Sequence, residues 1–205
     1  LCVRCTTPLL EKTRKKISMF TNVIEEDVFS CHDAKSIFMI PQMLYEQGLV
    51  DVVFKKFGNV GFVNTSKNWD NWNTIVNSLQ KTDDAIKIAM VGKYVTLADS
   101  YVSVNEALKH ASASIGKSVN IDWIDSETLN GNLKQLDNFD GVLVPGGFGT
   151  RGSEGIIDTA TYALEKNIPY LGICFGFQLA AVAFGRKMCN LENANSTEIV
   201  ADTKN

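Results

Sequence analysis

The chain has 205 residues, of which 45% are hydrophobic and 21% are charged, and this composition is that of an ordinary globular protein. Its net charge of −3 gives no basic surface, which argues against nucleic acid and a membrane surface as partners. No apolar run reaches the roughly 18 residues that a membrane span needs, and no secretory leader opens the chain. The five scattered cysteines do not form a disulfide framework, so we expect a cytoplasmic protein that binds small molecules.

The first 57 residues alternate between strand and helix patterns, which is typical of an α/β segment. Gly48 ends the last helical pattern, as glycine commonly does. The predicted elements are strands at residues 1–3 and 28–31, a basic helix at 10–20 and an amphipathic helix at 36–47.

Residues 58–84 show no strand periodicity, but Trp69, Trp72 and Leu79 recur at helical spacing. We interpret this stretch as a linker with one helix, in which the tryptophans pack and bind no ligand.

Residues 85–205 have a regular rhythm of apolar strands separated by helices, which predicts a parallel sheet flanked by helices. Binding sites in such sheets lie at the carboxyl ends of the strands, where both glycine-rich runs of this part fall. The predicted strands are residues 86–91, 119–124, 141–144 and 170–173, and the predicted helices are residues 100–114, 156–166 and 177–185.

Cys174 lies in a Gly-x-Cys-x-Gly run, Gly172 to Gly176, directly after an apolar strand. This is the form of a nucleophile elbow, where a sharp turn holds a nucleophile exposed before a helix. A thiol at the amino end of a helix is favoured as thiolate by the helix dipole. The competing interpretation is a buried structural cysteine; the flanking glycines favour the nucleophile.

A second glycine-rich run, Pro145 to Gly149, can present backbone N–H groups to a developing oxyanion. The natural donor pair is the N–H of Gly147 and that of Phe175, the residue after the nucleophile. The same run also spells G-x-G-x-x-G, the dinucleotide fingerprint. That interpretation expects an acidic residue about 20 positions on, where this chain has the elbow instead.

Seven runs of the sequence are specific enough to compare with known families: VLVPGGFGTRGSEG (142–155), YLGICFGFQ (170–178), NANSTE (193–198), MVGKY (90–94), EALKHAS (106–112), KKISMF (15–20) and HDAKSI (32–37). Together they closely resemble CTP synthase. The implied fold is α/β: a parallel sheet of a class I glutaminase at residues 85–205, preceded by an α/β segment of a P-loop-type synthetase domain at 1–57 and the linker at 58–84.

The resemblance implies an enzyme that hydrolyses glutamine at one site and passes ammonia to UTP, activated by ATP with Mg²⁺, at another. It further implies GTP as activator, CTP as product inhibitor and a homotetramer. The Mg²⁺ ligands are expected outside this chain.

The resemblance also assigns roles to residues. Cys174 is the glutaminase nucleophile, and Lys16 matches a position that binds the pyrimidine nucleotide. Residues expected to contact glutamine or build the oxyanion hole are Gly147, Phe175, Gly176, Phe177, Gln178 and Glu198. A lid loop linked to GTP activation spans residues 151–155 and includes Arg151, Gly152 and Glu154. The ATP site is expected at His32, Asp33 and Ala34.

A thiol nucleophile also needs a base, and the two histidines, His32 and His110, both precede Cys174. The resemblance implies a catalytic His and Glu that lie downstream in amidotransferases of this class. We therefore expect them beyond residue 205, a chain that is part of a longer protein, and incomplete catalysis from this part alone. The alternatives are a regulatory or assembly module with a vestigial elbow, and a dinucleotide-dependent oxidoreductase domain.

Overall fold

The structure, a computed structural model, describes residues 1–58, 66–80, 84–95, 99–129 and 131–201. The chain divides into two compact units, Leu1–Val76 and Asn77–Asn205. The division falls inside the stretch predicted as a linker.

The amino-terminal unit contains a small parallel sheet of two strands, β1 (Cys2–Arg4) and β2 (Phe29–Cys31). Helix α1 (Glu11–Thr21) lies between them in the chain, as the basic helical pattern predicts. Phe29 and its neighbour Val28 are fully buried, so the second strand provides the apolar centre of this unit.

The amphipathic stretch after β2 forms a 3₁₀ turn followed by a short helix, whereas the sequence predicted one helix over residues 36–47. Ser36 caps the turn by accepting the N–H of Phe38, N···O 3.3 Å. Helix α2 (Ile40–Glu46) then begins with Pro41 in its first turn, where the missing N–H costs nothing. Gly48, at φ 83°, ends this stretch as predicted, but α3 (Leu49–Lys56) follows at once and was missed.

Helix α4 (Ser66–Leu79) is the helix expected in the linker. The indole N–H of Trp72 donates to the carbonyl of Phe38, N···O 2.9 Å, and the rings of Trp69 and Tyr45 lie 4.9 Å apart. The prediction that these tryptophans pack within the protein is confirmed.

The carboxyl-terminal unit is built on a four-stranded parallel sheet with the order β4-β3-β5-β6. All four strands match predicted positions within one residue at each end. The strands are β3 (Ile86–Gly92), β4 (Val119–Asp125), β5 (Gly141–Val144) and β6 (Tyr170–Gly172), and the helices are α5 (Val102–Ser114), α6 (Ser153–Lys166) and α7 (Phe175–Met188).

Both faces of this sheet are covered, because alternate residues of β3 point to opposite sides. Ala89 and Val91 belong to a buried cluster that includes apolar residues of α6 and α7. Met90 belongs to a second cluster, against which Val104 and Leu108 of α5 pack. The predicted fold class, a parallel sheet flanked by helices, is therefore confirmed. None of the described helices combines the length and the apolar character of a membrane span.

Candidate active site

Cys174 lies between β6 and α7. Its backbone conformation, φ 52° and ψ −107°, is one that residues other than glycine rarely adopt. Such a conformation costs about 1–3 kcal/mol and persists only where the surroundings enforce it. The flanking hydrogen bonds do so: the N–H of Ile173 donates to Val144, N···O 2.9 Å, and that of Gln178 donates to Cys174, N···O 3.0 Å. The Cys174 side chain is exposed, as an elbow requires.

The two glycines of the elbow are dictated by close backbone contacts. A Cβ on Gly172 would lie 2.5 Å from the carbonyl carbon of Gly176. A Cβ on Gly176 would lie 2.3 Å from the carbonyl oxygen of Val144, far inside normal contact. The Gly-x-Cys-x-Gly pattern is therefore required by a turn that packs directly against β5.

Helix α7 begins at Phe175, two residues earlier than the sequence predicted, because the turn is completed within Cys174 itself. Phe175 is the first helical residue, so its N–H has no partner inside the helix. This is the position that the sequence assigned to an oxyanion donor.

The glycine-rich run after β5 lies beside the elbow. A Cβ built on Gly147 would be 3.6 Å from the ring of Phe175, and one on Gly146 would be 3.8 Å from the Cβ of Cys174. The structure thus brings together the nucleophile and the two residues predicted to donate N–H groups. Phe175 is 1% exposed, and its buried ring packs against Gly147.

Lys93 is a part of this site that the sequence analysis missed. It follows β3, is 6% exposed, and its ammonium group donates to the carbonyls of Phe148, N···O 3.0 Å, and Gly149. The same ammonium lies 4.4 Å from the centre of the Phe175 ring. Burial, and secondarily the nearby Arg151, lowers the pKa of Lys93. The available signal was a lysine at the carboxyl end of a buried strand, where sites form.

Gln178 and Glu198, both predicted to contact glutamine, differ in how this chain holds them. The side-chain oxygen of Gln178 is buried and has no hydrogen-bond partner in the part of the chain that the structure describes, so it is an unsatisfied acceptor. Glu198 is exposed, and its backbone N–H donates to the hydroxyl of Ser196, N···O 3.2 Å. Phe177, the remaining side chain of this set, is 66% exposed.

The predicted lid loop at residues 151–155 is only partly a loop, because α6 already begins at Ser153. Gly152, at φ 67°, caps this helix. Glu154 points to α7, where Arg186 holds it through two N–H···O bonds of 2.8 and 3.3 Å. Arg151 donates to the carbonyl of Lys93, N···O 3.2 Å. Helix α6 begins early because Gly152 adopts a left-handed backbone conformation, which lets the chain turn into the helix directly at Ser153.

Two family models match the chain. The model described as glutamine amidotransferase class-I matches residues 96–203, and the one described as CTP synthase N-terminus matches residues 1–59. The chain belongs to the class I glutamine amidotransferase family. The elbow and the glycine-rich loop of this amidotransferase lie within the matched range, so the sequence resemblance and the geometry concern the same residues.

Curated relatives extend the likeness to nearly the whole amidotransferase chain. CTP synthases of Methanopyrus kandleri and Thermococcus gammatolerans are 42% and 44% identical over 98% and 99% of it, and that of Pyrococcus abyssi is 45% identical over 99%. The chain spans 38%, 38% and 37% of the length of these three relatives. The predicted resemblance to CTP synthase is confirmed.

A solved structure has a similar fold over part of the chain. The glutaminase domain of Trypanosoma brucei CTPS with bound acivicin is 36% identical to this amidotransferase, with a TM-score of 0.55. The likeness covers 58% of this chain and 48% of that one. Together with the family models, it supports the glutaminase interpretation and not the dinucleotide one.

The residues predicted to bind nucleotides lie in the amino-terminal unit. His32 accepts or donates through Nδ1 to the hydroxyl of Ser30, 3.1 Å, and lines a cavity of about 510 Å³. Asp33 forms an ion pair with Arg4, and Ala34 follows it directly. Lys16 is exposed on α1 and does not line this cavity. The nucleotide roles of these residues stay predictions.

No group of three or more His, Cys, Asp or Glu side chains that could hold a metal ion occurs within the described ranges. The Mg²⁺ expected from the resemblance stays a prediction.

Proposed function

We propose that this chain carries the thiol nucleophile of a glutamine-hydrolysing CTP synthase. The observation that carries the proposal is the strained conformation of Cys174, held beside Gly147 and the free N–H of Phe175. Strain of this kind is retained where it serves function, because an unstrained turn would be more stable. The buried, unpartnered oxygen of Gln178 adds an acceptor for an amino or amide N–H of the substrate.

In the proposed reaction, the sulfur of Cys174 bonds to the side-chain amide carbon of glutamine, and the carbonyl electrons move onto oxygen. The N–H groups of Gly147 and Phe175 then stabilise that oxyanion. The proton that the thiol of Cys174 gives up passes through a base to the leaving nitrogen. As the carbonyl re-forms and the C–N bond breaks, ammonia departs and leaves a thioester on Cys174. Water hydrolyses the thioester to glutamate and restores the thiol.

The whole enzyme would use this ammonia to convert UTP into CTP with ATP as the activating substrate. This step is supported by the relatives, which are CTP synthases, and by the match of residues 1–59 to the amino-terminal family model. The base, GTP activation, CTP inhibition, the tetramer and the cytoplasmic location belong to the same proposal. We propose further that these 205 residues alone lack complete catalysis.

Covalent labelling of the full-length protein with acivicin tests the nucleophile. Cys174 should be modified rapidly, whereas Cys189, which is also exposed, should react slowly and serves as the internal control. Cys174→Ser should remove the fast modification and the release of glutamate from glutamine. Equal labelling of the two cysteines would contradict the proposal and favour a vestigial elbow.

A matched pair of lysine variants tests the pyrimidine role of Lys16. Lys15 lies next to it on α1 but is bound to Glu11, N···O 2.8 Å. We expect Lys16→Met to raise the KM for UTP by at least about tenfold, since a charged hydrogen bond to phosphate is worth about 1.5–3 kcal/mol. Lys15→Met should leave this KM unchanged. Equal effects of both substitutions would show a general loss of positive charge and no specific contact.

A further inference from the structure

Lys93 is, among the described residues, the buried ammonium group that contacts the active site, and the reaction described above gives it no role. Its N–H groups bind the carbonyls of Phe148 and Gly149, and its charge faces the ring of Phe175. Burying an ammonium group is costly unless it is bound by polar partners. A methionine would fill the same space without this cost, so the charge itself needs an explanation.

The contacts of Lys93 join the two segments that supply the oxyanion donors. Phe148 and Gly149 follow Gly147 directly, and the Phe175 ring supports Gly147 from below, 3.6 Å from a Cβ built there. The carbonyl of Phe148 lies in one planar peptide unit with the N–H of Gly149, and that of Gly149 in one with the N–H of Thr150. Lys93 therefore fixes the two peptide units that follow Gly147, which limits the many backbone conformations that this glycine could otherwise adopt and so the direction of its own N–H.

We infer that Lys93 is a positioning residue for glutamine hydrolysis, which holds the Gly147 and Phe175 donors in register with the oxyanion that forms above Cys174. This inference rests on the proposed function. It concerns the transition state and not the binding of glutamine, because the buried ammonium group contacts two carbonyls of the donor loop and the ring of Phe175. Arg151 extends the arrangement, since it binds the carbonyl of Lys93.

The lowered pKa of Lys93 is consistent with its buried position between these two segments. Desolvation is the first cause, and the positive charge of Arg151 is the second, while Glu127 acts in the opposite direction. The two carbonyl groups and the aromatic ring are thus what keeps a buried cation in place.

The test uses the full-length protein with glutamine, UTP, ATP, Mg²⁺ and GTP, and it compares Lys93→Met with Lys109→Met. Lys109 is a matched control because it pairs with Glu106 on α5. Lys93→Met should lower kcat for glutamate release by at least about tenfold, because small displacements of catalytic groups have effects of this size or larger. The KM for glutamine should change little, and Lys109→Met should behave as the unchanged protein. Lys93→Arg should restore part of kcat.

Alkylation of Cys174 by iodoacetamide separates positioning from general structural damage. This reaction displaces iodide from a saturated carbon and forms no oxyanion, so its rate should be the same in Lys93→Met and in the unchanged protein. A kcat that does not fall, or that falls together with the alkylation rate, would overturn the inference.

Folding of each variant is checked by circular dichroism, and Lys93→Gln replaces Lys93→Met if the latter does not fold. If neither variant folds, Lys93 is a structural residue and the inference is wrong. Absence of Cys174-dependent glutamate release from the unchanged protein would instead overturn the proposed function, and this inference with it. The two failures are therefore distinguishable.

Discussion

The elbow and the predicted nucleotide-binding residues differ in how closely other residues of this chain pack around them. Around Cys174, the backbone is strained, the flanking glycines touch other backbone atoms, and Lys93 and Phe175 support the adjacent loop. In the amino-terminal unit, Lys16 is exposed, and Asp33 is engaged by Arg4 at the surface. Only the first region has the geometry of a reacting centre.

This difference shows which kind of site is set by local backbone geometry. A nucleophile at a sharp turn requires particular residue types at fixed spacing, because a Cβ at the wrong place meets backbone atoms. Phosphate and base contacts are made by long side chains that reach out from ordinary helices and strands. Such contacts require no particular conformation of the local backbone. The backbone of this chain therefore gives little evidence for or against them.

The largest expected effect concerns the packing of the elbow. Gly176→Ala would place a Cβ 2.3 Å from the carbonyl oxygen of Val144, which belongs to the backbone of the central strand β5 and cannot move aside. We expect the free energy of unfolding, measured by urea titration, to fall by about 3 kcal/mol, at the upper end of overpacking effects.

Gly146→Ala is the matched control for this change. Its Cβ would lie 3.8 Å from the Cβ of Cys174, an ordinary contact, so the free energy of unfolding should stay within about 1 kcal/mol of that of the unchanged protein. Equal losses in both variants would show that the whole glycine-rich region is intolerant and that the close approach at Gly176 has no special role.

The strain at Cys174 predicts an inverted preference between glycine and alanine. At φ 52°, Cys174→Gly should be more stable than Cys174→Ala by about 1–2 kcal/mol, since glycine escapes the steric cost. At Cys189, with φ −103°, the alanine variant should be the more stable one by about 0.5–1 kcal/mol. Urea titration of the four variants measures both differences. The same sign at the two positions would mean that the elbow is unstrained.

Tyr170 gives a pH-dependent test of the same region. Its hydroxyl donates to the carbonyl of Gly176, O···O 3.0 Å, and burial raises the pKa of this phenol far above its usual range. The unfolded chain ionises near pH 10 while the folded one keeps its proton, so this stabilisation is complete below about pH 10 and is lost as the pH rises further. Tyr170→Phe should cost about 1 kcal/mol at neutral pH.

The comparison of pH profiles checks the sign. Above about pH 10, the unchanged protein should lose stability more steeply than Tyr170→Phe, so the difference between the two should shrink. Tyr101, whose pKa burial also raises, is present in both proteins and cancels from this comparison. Parallel pH profiles would show that Tyr170 is not desolvated in the folded protein.

The sequence predicted the sheet and the nucleophile well, for physical reasons that particular residues show. Strands β3, β5 and β6 are almost entirely apolar, the edge strand β4 alternates apolar and polar residues, and the elbow has glycines that a tight turn demands. Helix α3 was missed because Gly48 was interpreted as the end of one helix and not also as the cap of the next. Lys93 was missed because its partners are carbonyl groups about 55 residues away, which no local pattern reveals.

The smallest expected effect compares an ion pair in each unit. Arg186 is 26% exposed and binds both carboxylate oxygens of Glu154, and its Nε also donates to the carbonyl of Ala194, N···O 2.8 Å. Arg4 and Asp33 are 70% and 54% exposed. Such exposure lets water and salt screen the attraction, whereas the fixed, two-bond geometry of Arg186 retains more of it.

Double-mutant cycles measure this contrast as coupling free energies of unfolding. The cycle of Arg186→Met and Glu154→Gln should give about 1 kcal/mol, and that of Arg4→Met and Asp33→Asn less than about 0.5 kcal/mol. Raising the salt concentration should reduce the second coupling to near zero first, because that pair is the more exposed. If the Arg4 pair proved the stronger, the amino-terminal surface would be more ordered than its exposure indicates. The contrast between a built site and an open surface would then not extend to the ion pairs of the two units.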